Sequence, residues 1–216
     1  LSAASVALLA LFVAMQSISR EPLLPLGIFR APNLAPANIL MALLGAAWIP
    51  LWFFLNLYLQ QTLHLSALAS GLALLPMTVL IMVLMVGATG QLVGRFGIKA
   101  NLVVGLLALA GALLLLSNVP ADGNYWTDVL PASLLAAAGM SLAYIPVTMA
   151  GMSGARPEET GLASGLINTT YQVGSAVGLA VMVALAASQR EVVDAAGSSG
   201  LLAGFQLAFQ GAAIVA

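Results

Sequence analysis

The amino-acid sequence predicts an all-α integral membrane protein, built as a multi-span helical bundle. Of its 216 residues, 62% are hydrophobic and only 6% are charged, whereas an ordinary globular domain needs about 25% charged residues to cover its surface. The apolar residues also fall into long runs, close to the roughly 20 residues with which a helix crosses a ~30 Å hydrocarbon core. A backbone in lipid must satisfy its own hydrogen bonds, and the sequence has no alternating barrel pattern, so the spans are predicted to be helices.

Seven apolar segments follow one another, separated by connections rich in turn residues. None of the connections is long enough to hold an inserted soluble domain. Residue 1 is Leu, and no basic region precedes the first apolar run, which argues against a signal peptide. Because the last run is short for a span, we expect the sequence to be a fragment, cut inside a helix at one or both ends. The segments are Leu1–Ile18, Ala37–Leu59, Ala67–Thr89, Ala100–Asn118, Val129–Met149, Gly161–Ala187 and Leu201–Ala216.

Basic residues are concentrated in alternate connections. The first, third and fifth connections hold five of the six Lys and Arg residues, and the others hold Arg190 alone. Since cytoplasmic loops of membrane proteins are enriched in Lys and Arg, the odd connections are predicted to face the cytoplasm. Tyr125 and Trp126, beside Asp128, are predicted to anchor the opposite interface. No charged residue lies within a predicted span, so no buried ionic relay is expected. The five basic residues are Arg20, Arg30, Arg95, Lys99 and Arg156.

Composition also bears on enzymes, metals and nucleic acid. There is no cysteine, hence no disulfide or thiolate metal site, and with the single histidine His64 we predict neither a metal nor a cofactor. The net charge of −1 gives no reason to expect nucleic acid as a partner. Gly151–Gly154 spells the GxSG motif of intramembrane rhomboid proteases, in which a histidine must take the serine proton. Because His64 is predicted to lie on the side opposite Ser153, the sequence predicts no enzyme.

The connection Gly90–Lys99, GQLVGRFGIK, resembles the glycine-plus-basic signature of the major facilitator superfamily, roughly G-x-L-a-D-r-x-G-r-k. Gly94 stands where that family usually has Asp, and Ile98 where a basic residue is common. The resemblance implies a cytoplasmic gate, in which a tight turn lets Arg95 meet helix-end carbonyls or an acid, although the missing Asp weakens the charge pair. The alternative is a basic loop that only fixes topology. The matching positions are Gly90, Leu92, Arg95, Gly97 and Lys99.

The stretch Gly161–Gly178, GLASGLINTTYQVGSAVG, places small and amide residues on one helix face. Small residues let a second helix approach, and amides can hydrogen-bond across the contact. The face is either ordinary helix packing or a sliding interface between two bundles. Gly174 and Gly178 form a further small pair on a different face, and Arg156–Glu159 suits a helix start. The residues on the shared face are Gly161, Gly165, Asn168, Gln172 and Ser175.

This stretch is similar to GLASG…N…RQVGGALG of the EmrB/QacA-type drug:proton antiporters with fourteen spans. Pro22–Arg30, Leu57–Met77 and Tyr125–Ala132 fit the same family, although Tyr171 replaces a commonly basic residue. The resemblance implies the C-terminal half of the major facilitator fold. Residues 1–35 would then be a linker transmembrane helix with a cytoplasmic loop, and residues 36–216 a C-terminal six-helix bundle with a truncated last helix. The N-terminal bundle would be missing.

Two indoles and two amides recur every four residues on the second span, at Trp48, Trp52, Asn56 and Gln60. Such a face suits an amphipathic cavity that stacks and hydrogen-bonds a mostly apolar ligand. In the resembled family this helix lines the central cavity, as does the helix corresponding to Val129–Met149. The alternative is that Trp48 and Gln60 are interfacial anchors. The predicted substrate-cavity residues are Trp52, Asn56, Gln60, Tyr144 and Thr148.

By this resemblance the protein is expected to be a secondary active transporter in the cell membrane. It would export small amphipathic compounds by alternating access, as in multidrug efflux, with proton exchange as the driving force. The expected partners are the lipid bilayer, a small amphipathic substrate, protons and the missing N-terminal bundle. Two alternatives remain open: a superfamily transporter of another solute, such as a lipid, sugar or metabolite, and a non-functional membrane fragment.

Overall fold

A computed structural model describes residues 31–120, 123–193 and 199–216, with isolated positions before residue 31 and the backbone alone over 188–193 and 199–203. The first predicted span, Leu1–Ile18, lies largely outside the described residues, as do Arg20, Arg30 and the Arg190 side chain. The described residues form six α-helices and no strand. They are α1 Leu34–Leu57, α2 Ala67–Val83, α3 Thr89–Leu116, α4 Leu130–Met152, α5 Thr160–Val193 and α6 Ser199–Val215.

Short turns of other helical types join these helices. π-helical turns follow α1 and α2 and precede α4, and a 3-10 turn precedes α5. Four of the resulting helical stretches are long and apolar enough to cross a membrane: Leu34–Thr62, Ala67–Leu116, Tyr125–Met152 and Pro157–Ala187. This confirms the prediction of an all-α membrane protein with multiple spans.

The stretch Ala67–Leu116 contains two spans, because its 50 residues are about twice the length that one crossing needs. It folds back at Gly97, whose φ of 81° and ψ of 165° are incompatible with a helix. Asn101 donates to the carbonyl of Leu92 at 3.0 Å, a separation that a continuous helix would stretch to about 13 Å. The predicted loop Gly90–Lys99 is therefore mostly helical. The structure differs from the prediction because one glycine makes the turn, and the flanking residues can stay in the helix.

The connections alternate between the two ends of the bundle. At one end, Gly154 after α4 contacts Pro32 before α1. At the other end, the Tyr58 hydroxyl donates to the Pro120 carbonyl at 2.7 Å, and Gln206 donates to the Val119 carbonyl at 3.2 Å. Among the described side chains, Arg95, Lys99 and Arg156 all belong to connections at the first end, which we call the basic end.

Two close helix pairs hold the bundle together, α1 with α5 and α3 with α4. In the first pair Gly174 and Gly178 lie directly against the backbones of Ala42 and Ala46. In the second pair a β-carbon on Gly105 would lie 2.8 Å from the carbonyl oxygen of Gly139. Dispersion between closely packed backbones is the main attraction between helices in lipid, where the hydrophobic effect is absent.

Candidate functional site

The polar face of α1 forms one side of an open groove near the end of the bundle opposite the basic end. The groove has a volume of about 400 Å³. The Trp48 and Trp52 rings meet edge to face, with centroids 6.2 Å apart, and Trp48 is buried while Trp52 is only partly so. Gln60 donates to the side-chain oxygen of Asn56, which fixes the amide of Asn56. The groove is lined by Ile49, Trp52, Phe53, Asn56, Leu57 and Leu179.

Tyr144 and Thr148 of α4 form a second polar group, beside α5. The rings of Tyr144 and Tyr171 are edge to face at 5.6 Å. The Thr148 hydroxyl donates to the Tyr144 carbonyl at 2.9 Å, so its bond is within its own helix. Tyr144, Thr148 and Tyr171 are all half-buried, which leaves part of each side chain open to a ligand.

The two polar groups lie at different depths in the bundle. Ala37 of α1 and Gly151 of α4 are in contact and therefore level. From that level Trp52 is about 22 Å along α1, and Tyr144 is about 10 Å along α4, at roughly 1.5 Å per residue. The five predicted cavity residues are thus divided into two layers about 12 Å apart, and Tyr144 and Thr148 do not line the groove of Trp52 and Asn56.

The α5 face predicted from small and amide residues is largely open. β-Carbons on Gly161 and Gly165 would meet nothing within 4 Å, and Asn168 and Gln172 are exposed. Ser175, at the edge of this face, is buried against Gly45 of α1. We call Gly161, Gly165, Asn168 and Gln172 the open face of α5. Gly174 and Gly178 lie elsewhere on the helix, inside the contact with α1.

At the basic end Arg95 and Lys99 are exposed. The Arg95 guanidinium lies 5.8 Å from the centroid of the Phe96 ring. Gly90 and Gly94 are open and Gly97 makes the turn. Within the described residues the one ion pair closer than 4 Å joins Arg156 to Glu159 at 3.2 Å, so neither Arg95 nor Lys99 has a carboxylate partner of that kind.

Several polar side chains that sequence reasoning did not single out join helices or turns. Asn101, 6% exposed, donates to the carbonyls of Leu92 and Gly97 at 3.0 and 2.7 Å. Thr170 of α5 donates to the Asn38 side chain of α1 at 2.7 Å. Both Asn38 and Thr170 are polar residues inside predicted spans. Their cost in lipid is a signal that each needs a hydrogen-bonding partner, but it does not identify that partner.

The serine–histidine pair of a rhomboid-like site does not form. Ser153 lies at the basic end, where its hydroxyl donates to the Ala150 carbonyl at 2.7 Å. His64 lies in the connection between α1 and α2, at the opposite end, with a φ of 53°. The length of α1 separates them, so His64 cannot take a proton from Ser153.

Comparison with known proteins finds one matching family model and several similar transport or resistance proteins. The family model described as Major Facilitator Superfamily matches residues 3–179. The chain is 34% identical over 184 residues to the cephamycin export protein CmcT of Amycolatopsis lactamdurans, covering 84% of this chain and 37% of that protein. It is 37% identical over 191 residues to the tetracenomycin C resistance and export protein of Streptomyces glaucescens, covering 87% of this chain and 34% of that protein.

A third relative matches over a longer stretch. The lincomycin resistance protein LmrB of Listeria monocytogenes is 31% identical over 209 residues, covering 93% of this chain and 44% of that protein. The chain therefore spans less than half the length of each of these relatives.

Proposed function

The chain belongs to the Major Facilitator Superfamily, and it forms part of a multi-pass cell membrane protein. From that premise we propose that the whole protein exports small amphipathic compounds, and that this chain supplies one bundle of the transporter. The proposal rests on similarity to known proteins: all three relatives named above are export or resistance proteins for antibiotics. We further propose the fourteen-span drug:proton antiporter type, with residues 1–35 as linker helix and loop and residues 36–216 as the C-terminal bundle.

The two polar layers are proposed to contact substrate. Trp52 and Asn56, supported by Gln60, offer an indole face and an oriented amide in an open apolar groove. Tyr144 and Thr148 offer a second aromatic and polar surface about 12 Å deeper. An amphipathic molecule can stack on either aromatic group and hydrogen-bond at few points, which suits a broad range of ligands.

The open face of α5 is proposed as the contact with the N-terminal bundle. Gly161 and Gly165 present bare backbone, and Asn168 and Gln172 present amides that can bond across a helix contact. Gly90, Arg95, Gly97 and Lys99 are proposed to form the cytoplasmic gate. With Gly94 in place of an acid, the gate would act through the Gly97 turn and its hydrogen bonds. Protons as the coupling ion follow from family resemblance alone.

An efflux assay on the full-length protein tests the cavity. Asn56→Leu and Tyr144→Ala are expected to reduce export of at least some antibiotics, since they remove a hydrogen-bonding group and an aromatic face. Asn118→Leu is the matched control, because Asn118 is exposed and bonds within its own helix end, to the Leu114 carbonyl. If Asn56→Leu and Tyr144→Ala leave every compound's export unchanged, the cavity assignment is wrong.

A transport screen separates drug export from transport of another solute. Cells carrying the full-length protein would be compared with cells carrying a transport-dead version, using antibiotics, sugars, lipids and metabolites as candidate substrates. Export of antibiotics alone supports the proposal. Transport of a sugar or metabolite without antibiotic export would replace it with the second function.

A further inference from the structure

A second groove, at the basic end of the bundle, combines a cationic mouth with an apolar interior. It lies where α1 begins, where α3 resumes after Gly97 and where α4 ends, and its volume is about 330 Å³. The residues at its mouth are exposed, and the proposed substrate-cavity residues do not line it. The mouth residues are Asn33, Pro36, Lys99 and Ser153.

The described residues of the groove's interior offer no side-chain hydrogen bond. The inner walls are aliphatic, and each of these side chains is buried or half-buried. Between Asn33 and Leu40 the helix α1 rises about 10 Å, which is deep enough for several methylene groups of an extended chain. A sugar or a nucleotide would be poorly solvated there. The inner wall residues are Ala37, Leu40, Leu102, Val147 and Ala150.

Among the described residues, no carboxylate lies within 4 Å of the positive charge at the mouth. Over the described ranges, the single ion pair within 4 Å involves Arg156 and Glu159, so the Lys99 ammonium is available to an anion. The Asn33 side chain does not cap α1, which leaves the partial positive charge of that helix start uncompensated by a side chain. Mouth and walls together match a molecule with an anionic head and an aliphatic tail.

We propose that this groove binds an anionic phospholipid of the membrane leaflet at the basic end. One acyl chain lies between the aliphatic walls, and the phosphate lies at Lys99 beside the start of α1. The basic end is at the depth where charged residues first appear, which is the depth of lipid headgroups. Basic pockets between transmembrane helices are a recurrent way of recognising anionic lipids. The site is independent of the transported substrate.

Native mass spectrometry of the detergent-purified protein tests the headgroup contact. The probes are phosphatidylglycerol and phosphatidylcholine with identical acyl chains. The wild type is expected to prefer phosphatidylglycerol, and Lys99→Gln to reduce that preference about fivefold, the effect of one lysine near a membrane surface. Arg95→Gln removes an equal charge at the same end but outside the groove, and is expected to retain the preference. If both variants lose the preference for phosphatidylglycerol equally, the lipid is attracted by the general positive charge of this end and not by the groove, and the proposal is overturned.

A second variant tests the acyl chain. Ala150→Phe fills the groove and should weaken binding of both lipids without changing their ratio, provided that circular dichroism shows unchanged helix content. Lys99→Gln is at an exposed position and keeps the proposal testable if Ala150→Phe does not fold. Wild-type binding by both variants would refute the site. Displacement of phosphatidylglycerol by an equal concentration of inorganic phosphate would also overturn it, since the groove would then bind a free anion.

Discussion

Gly174 of α5 lies directly on the backbone of Ala42 of α1, so that a β-carbon at position 174 would overlap the Ala42 carbonyl oxygen. One turn later, Gly178 and Ala46 repeat the contact. The two helices therefore touch backbone to backbone. The polar groups of α1 and Tyr171 of α5 are held at fixed positions by this contact.

Gly174→Leu is predicted to destabilise the protein by about 1–3 kcal/mol, or to prevent folding, because the added side chain has no space between two backbones. Thermal unfolding in detergent, followed by circular dichroism, measures the effect. Gly165→Leu is the matched control on the same helix, where nothing lies within 4 Å of a β-carbon. Equal destabilisation by the two variants would show that a large side chain anywhere on α5, and not the contact with Ala42, explains the loss, since helix propensity favours Leu over Gly at both positions.

Gly97→Ala is predicted to destabilise the turn by about 1–3 kcal/mol, because its φ of 81° and ψ of 165° lie in a region that essentially only glycine adopts. Gly94→Ala provides a clean comparison. Both positions have open space around a β-carbon, and only Gly97 has a positive φ. Gly94→Ala should be neutral or slightly stabilising in the same unfolding experiment. A result in which the two alanine variants behave alike would argue against the single-residue turn.

Hydropathy was sufficient to predict the helical class and, in the part of the chain that the structure describes, the approximate positions of the helices. Backbone groups in long apolar runs can only be satisfied as helices in lipid, and the connections that contain Pro120 and Gly154 follow the ends of α3 and α4. The turn at Gly97 was less predictable. A count of charges places Arg95 and Lys99 in a connection, but it does not report that one glycine reverses the chain while its neighbours remain helical.

For the candidate site, the grouping of residues along one helix could be predicted, but the alignment of different helices could not. Spacing along α1 groups Trp52 with Asn56, because residues four apart lie on the same side of a helix, and both residues line the same groove. The depth of Tyr144 relative to Trp52 depends on how α1 and α4 are aligned at Ala37 and Gly151, and no local pattern encodes that alignment. Contacts between distant segments, such as that of Asn38 with Thr170, are invisible to periodicity for the same reason.

Asn101→Leu is predicted to destabilise the protein by about 1–3 kcal/mol, since it leaves the carbonyls of Leu92 and Gly97 without their buried donor. Asn118→Leu is the control, because Asn118 donates to the Leu114 carbonyl at an exposed helix end, where water can replace the amide. It should change stability by less than about 0.5 kcal/mol. Hydrogen exchange of the α3 amides locates the effect: faster exchange confined to the turn supports the assignment, whereas unchanged exchange contradicts it.

Gly165→Trp is predicted to impair transport without impairing folding, if the open face of α5 meets the other bundle as proposed. A tryptophan at position 165 extends into open space in this chain, so thermal stability of the isolated chain should be retained. In the full-length protein the indole would separate two closely packed helices, and antibiotic export should fall about tenfold or more, the equivalent of roughly 1.4 kcal/mol of lost contact.

Val177→Trp is the control. Val177 is 58% exposed and lies on a different side of α5, where a tryptophan should be tolerated because it can contact lipid. Normal export by Gly165→Trp would exclude this face as a close interface, and loss of export by both variants would point to a general effect of a bulky residue on α5.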